Sequence, residues 1–175
     1  MLKELLESNK TVVISGEITP ELAVQTVLKL VQLHNDLPIE EKITLFIFSV
    51  GGDCDGAFSI IDCIEQIKSE GRIVRTYCTG RISSMAVYVT MSCTKGERFA
   101  TNKTIFMVHD INCCVEGSSI YIKSKLADLE ITNDHINNLI SNYSSKKLLE
   151  LIETNKDVFF TAKEALTLGI IDSIL

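Results

Sequence analysis

Residues 80–86 have the sequence Gly-Arg-Ile-Ser-Ser-Met-Ala and place two hydroxyls between an apolar strand, predicted over residues 73–78, and an apolar helix, predicted over about residues 84–93. A serine at a sharp strand-to-helix turn holds its oxygen beside unpaired backbone N–H groups, which stabilise developing negative charge. This geometry presents a nucleophile to a carbonyl carbon. The same pattern is also typical of an ordinary helix N-cap, so the serines alone do not decide between the two roles.

A glycine-rich turn upstream is the second feature that could take part in catalysis. The apolar run at residues 43–48 predicts a buried strand, which leads through Ser-Val-Gly-Gly at residues 49–52 to a helix predicted over residues 57–68. Paired glycines permit positive φ and close backbone approach, so their N–H groups can point at a carbonyl oxygen or an extended peptide. We interpret this turn as a candidate oxyanion hole, with a plain glycine turn as the alternative. Neither of the usual phosphate-binding patterns, G-x-G-x-x-G or the Walker sequence, is present.

His109 closes an apolar strand predicted over residues 104–108, and polar residues follow it. Imidazole titrates near neutral pH, so His109 is the candidate proton acceptor for a serine. His34 lies near a predicted helix end and His135 lies in a polar stretch of a long helix. Solvated structural roles suit both of these histidines.

Asp157 stands beside an apolar stretch, just before a helix that Thr161 is expected to cap. A carboxylate at this place could be partly buried and could orient a histidine. Most aspartates in loops have no such role, so Asp157 in isolation favours an ordinary structural reading.

The elements that must position these residues alternate between strand and helix. Besides the strands already given, apolar patterns predict a strand at residues 11–15 and a short strand at the end of the chain. A further strand is predicted just before residues 101–103, and it forms a pair with the strand at residues 104–108. The other predicted helices cover residues 20–34, 118–143, 146–153 and 162–168. Thr19 and Pro20 form a typical helix start. This alternation predicts an α/β fold with parallel strands and right-handed crossovers.

Composition narrows the class of protein. A chain of 175 residues that is 46% hydrophobic can bury a sizeable core as one domain. A formal net charge of −6 without a basic block argues against nucleic acid. No apolar run reaches the ~20 residues of a membrane span, and the N-terminal residues do not resemble a signal peptide. We therefore expect a cytoplasmic protein without membrane contact, metal or cofactor.

The six cysteines occur singly within predicted elements or as the adjacent pair Cys113 and Cys114, without metal-ligand spacing. This favours reduced thiols that act as small apolar side chains. A cysteine nucleophile is the alternative. It has little support, because no cysteine occupies the helix-start position that Ser84 holds.

Five segments, in the same order along the chain, resemble the proteolytic subunit family of the Clp protease (ClpP). The resemblance extends from about residue 12 to residue 175. Its segments are Ser-Val-Gly-Gly at residues 49–52, residues 56–62, the serine segment at residues 80–85, Phe-Met-Val-His at residues 106–109, and residues 157–165 with 168–172.

Carried over position by position, the resemblance implies a serine-type endopeptidase. Ser84 would be the nucleophile, His109 the general base and then acid, and Asp157 the group that fixes the imidazole tautomer. Ser83 would be the structural neighbour that caps the helix. The resemblance also implies an oxyanion hole from the backbone N–H groups of Gly52 and Met85, and a substrate-binding segment at Gly51 and Gly52.

The resemblance implies architecture and partners as well. The expected fold is ClpP/crotonase-like, with repeated β-β-α units and a long protruding helix. Residues 1–175 would form a single peptidase domain, with about residues 110–143 as a strand-and-helix handle. Expected partners are unfolded polypeptide or peptide substrates, an AAA+ unfoldase driven by ATP, and further copies of the chain in two stacked heptamers, a tetradecamer.

Some positions depart from the family pattern. Val50 stands where the family has proline, Asp110 follows the histidine in place of Gln-Pro, and Cys113 and Cys114 lie in a loop that is glycine-rich in the family. The chain starts about ten residues before its first strand, so we expect a more open pore without a long gating loop. Two alternatives remain: a non-catalytic ClpP-like subunit, and a crotonase-like acyl-CoA enzyme whose paired N–H groups stabilise a thioester enolate.

Overall fold

A seven-stranded sheet with helices packed on it organises the chain. The computed structural model describes residues 9–111, 114–154 and 157–175. The strands are β1 (Thr11–Ile18), β2 (Ile43–Gly52), β3 (Val74–Ser83), β4 (Arg98–Ala100), β5 (Ile105–His109), β6 (Asp157–Thr161) and β7 (Ser173–Ile174). The helices are α1 (Pro20–Asp36), α2 (Cys54–Ser69), α3 (Met85–Ser92), α4 (Ser119–Tyr143), α5 (Lys146–Thr154) and α6 (Ala162–Leu168).

The sheet is mostly parallel and divides at β3. Its main path has the order β1-β2-β3-β4-β7. The first half of β3 pairs with β4, and its last residues, Arg81 to Ser83, pair with β5. β6 then joins β5 as the antiparallel member of the sheet. The predicted α/β fold with parallel strands is confirmed, and the division places the C-terminal ends of β3 and β5 side by side.

β3 is longer than predicted, and this changes the setting of the serines. Thr79, Gly80 and Arg81 interrupt the apolar pattern, yet the strand continues to Ser83. Gly80 has a φ of +66°, which turns the strand without ending it. The backbone beyond this turn finds new hydrogen-bond partners in β5. Pairing with β5 therefore extends β3 beyond residue 78, where the local sequence predicts that the strand ends.

The predicted helix starts follow their capping signals. Thr19 accepts a hydrogen bond from the backbone N–H of Leu22 at 3.2 Å, and Pro20 is the first residue of α1. Thr161 caps α6 through a reciprocal bond with Glu164. α2 starts earlier than predicted because Asp53 caps it, accepting from the N–H of Gly56 at 2.6 Å.

The core is built from aliphatic side chains of β1, β2 and β3 and from the inner faces of the helices. α3 differs from the other helices because all eight of its residues are buried. Its first residue follows directly after Ser84. A helix enclosed on every side has little freedom to move, so the start of α3 is a rigid support for that serine.

α4 is the long helix predicted from the sequence, and it packs only near its C-terminal end. Its buried residues are Ile136, Leu139 and Ile140. The N-terminal half of α4 leaves several large apolar side chains exposed, among them Ile120, Tyr121, Leu126 and Ile131. Exposed apolar side chains grouped in this way are typical of a surface that contacts another molecule.

An ion pair fastens the foot of α4 to the sheet. The buried Arg98 donates to Asp172 through Nε at 2.8 Å and through Nη2 at 2.6 Å, and through Nη1 to the carbonyl of Tyr143 at 3.3 Å. Asp172 also accepts from the N–H of Gly96 at 2.7 Å. Burial raises the pKa of Asp172, but the hydrogen bonds and charge of Arg98 outweigh it and hold the pKa below its usual value. The carboxylate is therefore ionised at neutral pH and ties three segments together.

The five described cysteines are free thiols, as expected. Burial raises the pKa of Cys78 to about 11 and also raises the pKa of Cys93, so neither is a thiolate at neutral pH. Cys113 and the N-terminal residues 1–8 lie outside the described residues. Within the part of the chain that the structure covers, no helix combines the length and apolar character of a membrane span.

Candidate active site

Ser84 forms the whole junction between β3 and α3. It has φ +52° and ψ −129°, and among the described residues it alone has a positive φ without being glycine. Such a conformation costs about 1–3 kcal/mol and persists only where the surroundings impose it. Here the buried α3 and a hydrogen bond from the Ser84 N–H to the carbonyl of Met107, at 2.8 Å, impose it. The half-buried Ser84 side chain does not cap α3, which leaves its hydroxyl for other chemistry.

The expectation that Ser83 caps the helix is wrong. Because β3 continues through Ser83, that residue is the last of the strand and lies buried, paired with Met107 of β5. Within the described residues its hydroxyl has no hydrogen-bond partner. Ser83 therefore belongs to the core, and Ser84 is the serine at the turn.

Two glycines end β2, and the first of them lies against this junction. Gly51 has φ +85°, and a Cβ built on it would lie 2.7 Å from the Cβ of Ser84 and 2.9 Å from the backbone N of Met85. Gly52 has φ +148°, and its Cβ would lie 2.4 Å from the carbonyl oxygen of Ile18. Both contacts are too close for a side chain. Glycine at position 51 therefore lets β2 approach the serine turn, and glycine at position 52 lets it lie close against the end of β1.

The same segment offers an unpaired strand edge. β1 pairs with β2 up to Gly52, whereas β3 pairs with β2 only up to Ser49. Among the described strands, residues 50–52 therefore have a partner on one side only. The N–H of Gly51 donates to the hydroxyl of Ser49 at 3.1 Å and is occupied. The other backbone groups of this edge can accept an added strand.

His109 and Asp157 lie opposite each other across the antiparallel pair β5 and β6. Side chains of directly opposed residues project to the same face of a sheet, with Cβ atoms about 4.5–5.5 Å apart. In the structure, Nδ1 of His109 lies 2.5 Å from the backbone carbonyl of Asp110. A carbonyl only accepts, so Nδ1 carries the proton and the lone pair of the neutral ring is on Nε2. This is the tautomer of a general base.

Asp157 is exposed, so its carboxylate does not have the partial burial that its apolar neighbours would allow. It is the first residue of β6, and among the described strands β6 pairs with β5 alone. A hydrogen bond of His109 joins its ring to the backbone carbonyl of Asp110. The three candidate residues share one end of the sheet, because Ser84 follows the end of β3, which pairs with β5, and His109 pairs with Asp157 of β6.

A cavity of about 340 Å³ opens beside His109. Its walls come from the end of β5, from α3, from the C-terminal half of α4 and from α5. Its lining residues are Tyr88, His109, Asp110, Ile111, Asn133, Ile136, Asn137, Ile140, Leu149 and Ile152. The sequence analysis missed this cavity, because its walls come from separate elements that meet only in the folded chain.

The other two histidines have structural roles. His34 is mostly buried rather than solvated, because its Nδ1 accepts from Nε of the buried Arg72 at 3.0 Å and its Nε2 lies 2.8 Å from Glu70. The ring of His135 packs edge-on against Phe58, with centroids 5.6 Å apart. Among residues 9–111, 114–154 and 157–175, no cluster of His, Cys, Asp and Glu has the size of a metal site.

Comparisons with known proteins agree on one family. A family model described as Clp protease matches residues 1–175. The ATP-dependent Clp protease proteolytic subunit 2 of Chlamydia trachomatis serovar D is 30% identical over 171 residues, which are 97% of this chain and 82% of that protein. Proteolytic subunit 1 of Chlamydia felis and proteolytic subunit 2 of Chlamydia pneumoniae match with the same identity and coverage.

Proposed function

Because this chain belongs to the Clp protease family, we propose that it is a serine endopeptidase that hydrolyses unfolded proteins or peptides. The observation that carries the proposal is the strained turn at Ser84, held against the Gly51 backbone beside the paired ends of β5 and β6. Strain that the fold maintains at one serine is characteristic of a presented nucleophile.

The first step joins Ser84 to the substrate. Oγ attacks the peptide carbonyl carbon while Nε2 of His109 takes the hydroxyl proton. The carbonyl oxygen becomes an oxyanion, which the N–H groups of Gly52 and Met85 bind. Met85 supports this role because it is the first residue of α3, where a backbone N–H has no acceptor inside the helix.

The second step releases the amine. The C–N bond breaks as His109 returns its proton to the leaving nitrogen, and the acyl group stays on Ser84. Water then attacks this ester with His109 again as base, which frees the acid product and restores the serine hydroxyl. His109 carries the proton in each step, so the reaction proposed here uses no metal ion or cofactor.

Asp157 is the positioning residue in this proposal. The Nδ1 proton that His109 now donates to the Asp110 carbonyl would turn to the Asp157 carboxylate on the same face of the sheet. A carboxylate is the stronger acceptor because it is charged, and it stabilises the imidazolium that forms during proton transfer.

The substrate backbone would bind as an added strand along residues 50–52. Val50 supports this because it keeps a backbone N–H that a proline would lack, and its side chain is 55% exposed. Main-chain pairing recognises any extended peptide, whatever its sequence. This suits an enzyme for unfolded chains.

The proposal is tested by treating the protein with a fluorophosphonate and mapping the adduct by mass spectrometry. We expect one adduct, on Ser84. Peptide hydrolysis by an unlabelled protein, or an adduct on another residue, would contradict the assignment. A non-catalytic subunit or a crotonase-like acyl-CoA enzyme would neither be labelled nor cleave peptides.

Gly51→Ala should abolish peptide hydrolysis and lower the free energy of unfolding. The new Cβ would lie 2.6 Å from the carbonyl oxygen of Ser83 and would push the serine turn out of place. The matched control is Gly96→Ala, since Gly96 has nearly the same φ, +88°, with open space around it. The control should cost about 1–2 kcal/mol from its backbone conformation alone and should keep full activity.

Urea unfolding and kcat/KM measure these two effects. Gly51→Ala should lose more stability than Gly96→Ala, and the difference is the cost of the clash. Equal stability and activity in the two variants would show that the β2 backbone does not support the serine.

We also propose that the active chain is a homo-oligomer in the cytoplasm, formed by two stacked heptamers and served by an AAA+ unfoldase. The names of the relatives, ATP-dependent Clp protease proteolytic subunits, support the unfoldase, and the free thiols suit a reducing compartment. Residues 110–143 would be the handle between rings, where the exposed apolar residues of α4 would be covered. Sedimentation should give a mass many times 19.4 kDa. An active monomer would contradict the chamber.

A further inference from the structure

Ser49 is a polar residue of β2 that is enclosed in the core, two positions before Gly51. It is only 1% exposed. Its hydroxyl oxygen accepts a hydrogen bond from the backbone N–H of Gly51 at 3.1 Å. Because both residues are buried, bulk water does not compete for this N–H, which depends on the hydroxyl for a partner.

This hydrogen bond spans a β-bulge. Ser49 and Gly51 pair with two consecutive residues of β1, so Val50 between them is the extra residue of β2. A bulge bends its strand and redirects the residues that follow it. Valine has no ring that fixes φ, as proline has, so the backbone of the bulge needs another restraint. The bond from Gly51 back to Ser49 supplies that restraint within the strand itself.

Gly51, the residue held in this way, adjoins both N–H groups of the proposed oxyanion hole. The N–H of Gly52 belongs to the planar peptide group that Gly51 begins, so its direction follows from the backbone angles of Gly51. A Cβ on Gly51 would lie 2.9 Å from the backbone N of Met85, so the backbone of Gly51 fits closely against the second N–H. A rotation of Gly51 would therefore turn one donor and displace the other.

We propose that Ser49 is a positioning residue for the oxyanion hole, because its hydroxyl fixes Gly51 and thereby aims the N–H groups of Gly52 and Met85 at one oxygen. The inference rests on the proposed function, in which these two N–H groups bind the oxyanion. Ser49 is buried and acts through Gly51 rather than on the substrate. Donors that are fixed beforehand stabilise the transition state without reorganisation, so loss of the fixing bond should lower kcat.

Ser49→Ala removes the acceptor for the Gly51 N–H. Removal of a whole oxyanion-hole donor lowers kcat by about 100- to 1,000-fold, and a misdirected donor should cost less, so we expect a loss of roughly 10- to 100-fold. KM should stay unchanged, because the strand edge that binds the substrate remains. Ser49→Thr keeps the hydroxyl and should retain most of the parent kcat. Steady-state kinetics below the temperature at which the variants begin to unfold measure these effects.

Ser83→Ala is the matched control. Ser83 is a buried serine of the neighbouring strand, 2% exposed, and its carbonyl oxygen lies 2.6 Å from the place of a Cβ on Gly51. Within the described residues its hydroxyl has no hydrogen-bond partner. The control therefore deletes the same atom beside the same glycine without removing a hydrogen bond, and kcat should not change. An equal loss of kcat in Ser83→Ala and Ser49→Ala would overturn the inference.

A peptide aldehyde provides a measurement that a purely structural role of Ser49 would not change. The Ser84 oxygen adds to the aldehyde carbon, its proton passes through His109 to the former carbonyl oxygen, and that oxygen of the hemiacetal lies in the oxyanion hole. We expect Ser49→Ala to weaken inhibition by the aldehyde by the same factor as kcat/KM. The corresponding peptide alcohol forms no adduct and should bind parent and variant equally. Equal weakening of both ligands would contradict the proposal.

Hydrogen–deuterium exchange at the Gly51 amide distinguishes a failure of this inference from a failure of the proposed function. Exchange at Gly51 should be faster in Ser49→Ala than in the parent by roughly tenfold or more, and unchanged in Ser83→Ala. An active parent whose Ser49→Ala variant keeps the parent kcat, or the parent exchange rate, would overturn the inference and leave the peptidase intact. A parent that is neither labelled by the fluorophosphonate nor active would reject the peptidase, and the catalytic role of Ser49 with it.

Discussion

Ser84→Ala should lower kcat for peptide hydrolysis by roughly 10⁶-fold while the protein stays folded. Loss of a nucleophile in a serine peptidase has an effect of this size, and the activity left comes from the oxyanion hole and substrate binding. Ala at this position must adopt the same positive φ as Ser84, so the fold should tolerate the change as well as it tolerates serine. Single-turnover kinetics with a fluorogenic peptide measure the loss, and circular dichroism verifies the fold.

Ser83→Ala is the control that tells the two serines apart. The Ser83 hydroxyl is buried, and within the described residues it lacks a hydrogen-bond partner, so its removal should leave the rate unchanged and the stability equal or slightly higher. If Ser83→Ala abolished fluorophosphonate labelling and Ser84→Ala did not, the assignment of the nucleophile would be wrong.

Asp157→Asn should lower kcat by about 10⁴-fold with little change in KM. An amide at this position can present its N–H₂ group to Nδ1 and stabilise the wrong imidazole tautomer, and it cannot stabilise the imidazolium. Asp157 is exposed at the start of β6, so the change should not affect stability. Steady-state kinetics over a range of pH measure the effect.

The structure supplies a definite alternative to this role. His109 already donates Nδ1–H to the Asp110 carbonyl, an arrangement that orients the ring without Asp157. If Asp157→Asn had the activity of the parent, this backbone contact would be the operative one. Partial recovery in Asp157→Glu, which restores a carboxylate at a greater reach, would support the cross-strand role.

Local signals in the sequence predicted the starts of α1 and α6. Thr19 with Pro20 and Thr161 with Glu164 each act within one turn, so the beginnings of α1 and α6 follow from neighbouring residues. The length of β3 could not be predicted in this way. It depends on β5, whose pairing with Arg81 and Ile82 supplies the partners that the local sequence lacks.

The candidate site likewise has features that the sequence predicted and features that depend on the folded chain. The resemblance identified Ser84, and the structure places that residue at the turn between β3 and α3. The exposure of Asp157, the orientation of the His109 ring and the cavity lined by Tyr88 and Asn137 depend on side chains that meet only in the folded chain. The catalytic roles of these residues stay predictions until the variants are measured.

The ion pair between Arg98 and Asp172 affects the order in which parts of the chain fold during synthesis. The two residues are separated by 74 positions, and a ribosome adds about 5–20 residues per second, so Arg98 waits roughly 4 to 15 seconds for its carboxylate. A guanidinium buried without a partner is strongly unfavourable, so β4 cannot take its place in the sheet during that interval. The units that contain β1, β2 and β3 can fold as they emerge, whereas β4 and the foot of α4 must wait. A nascent chain halted before Asp172 would therefore expose this part of its core to chaperones and proteases.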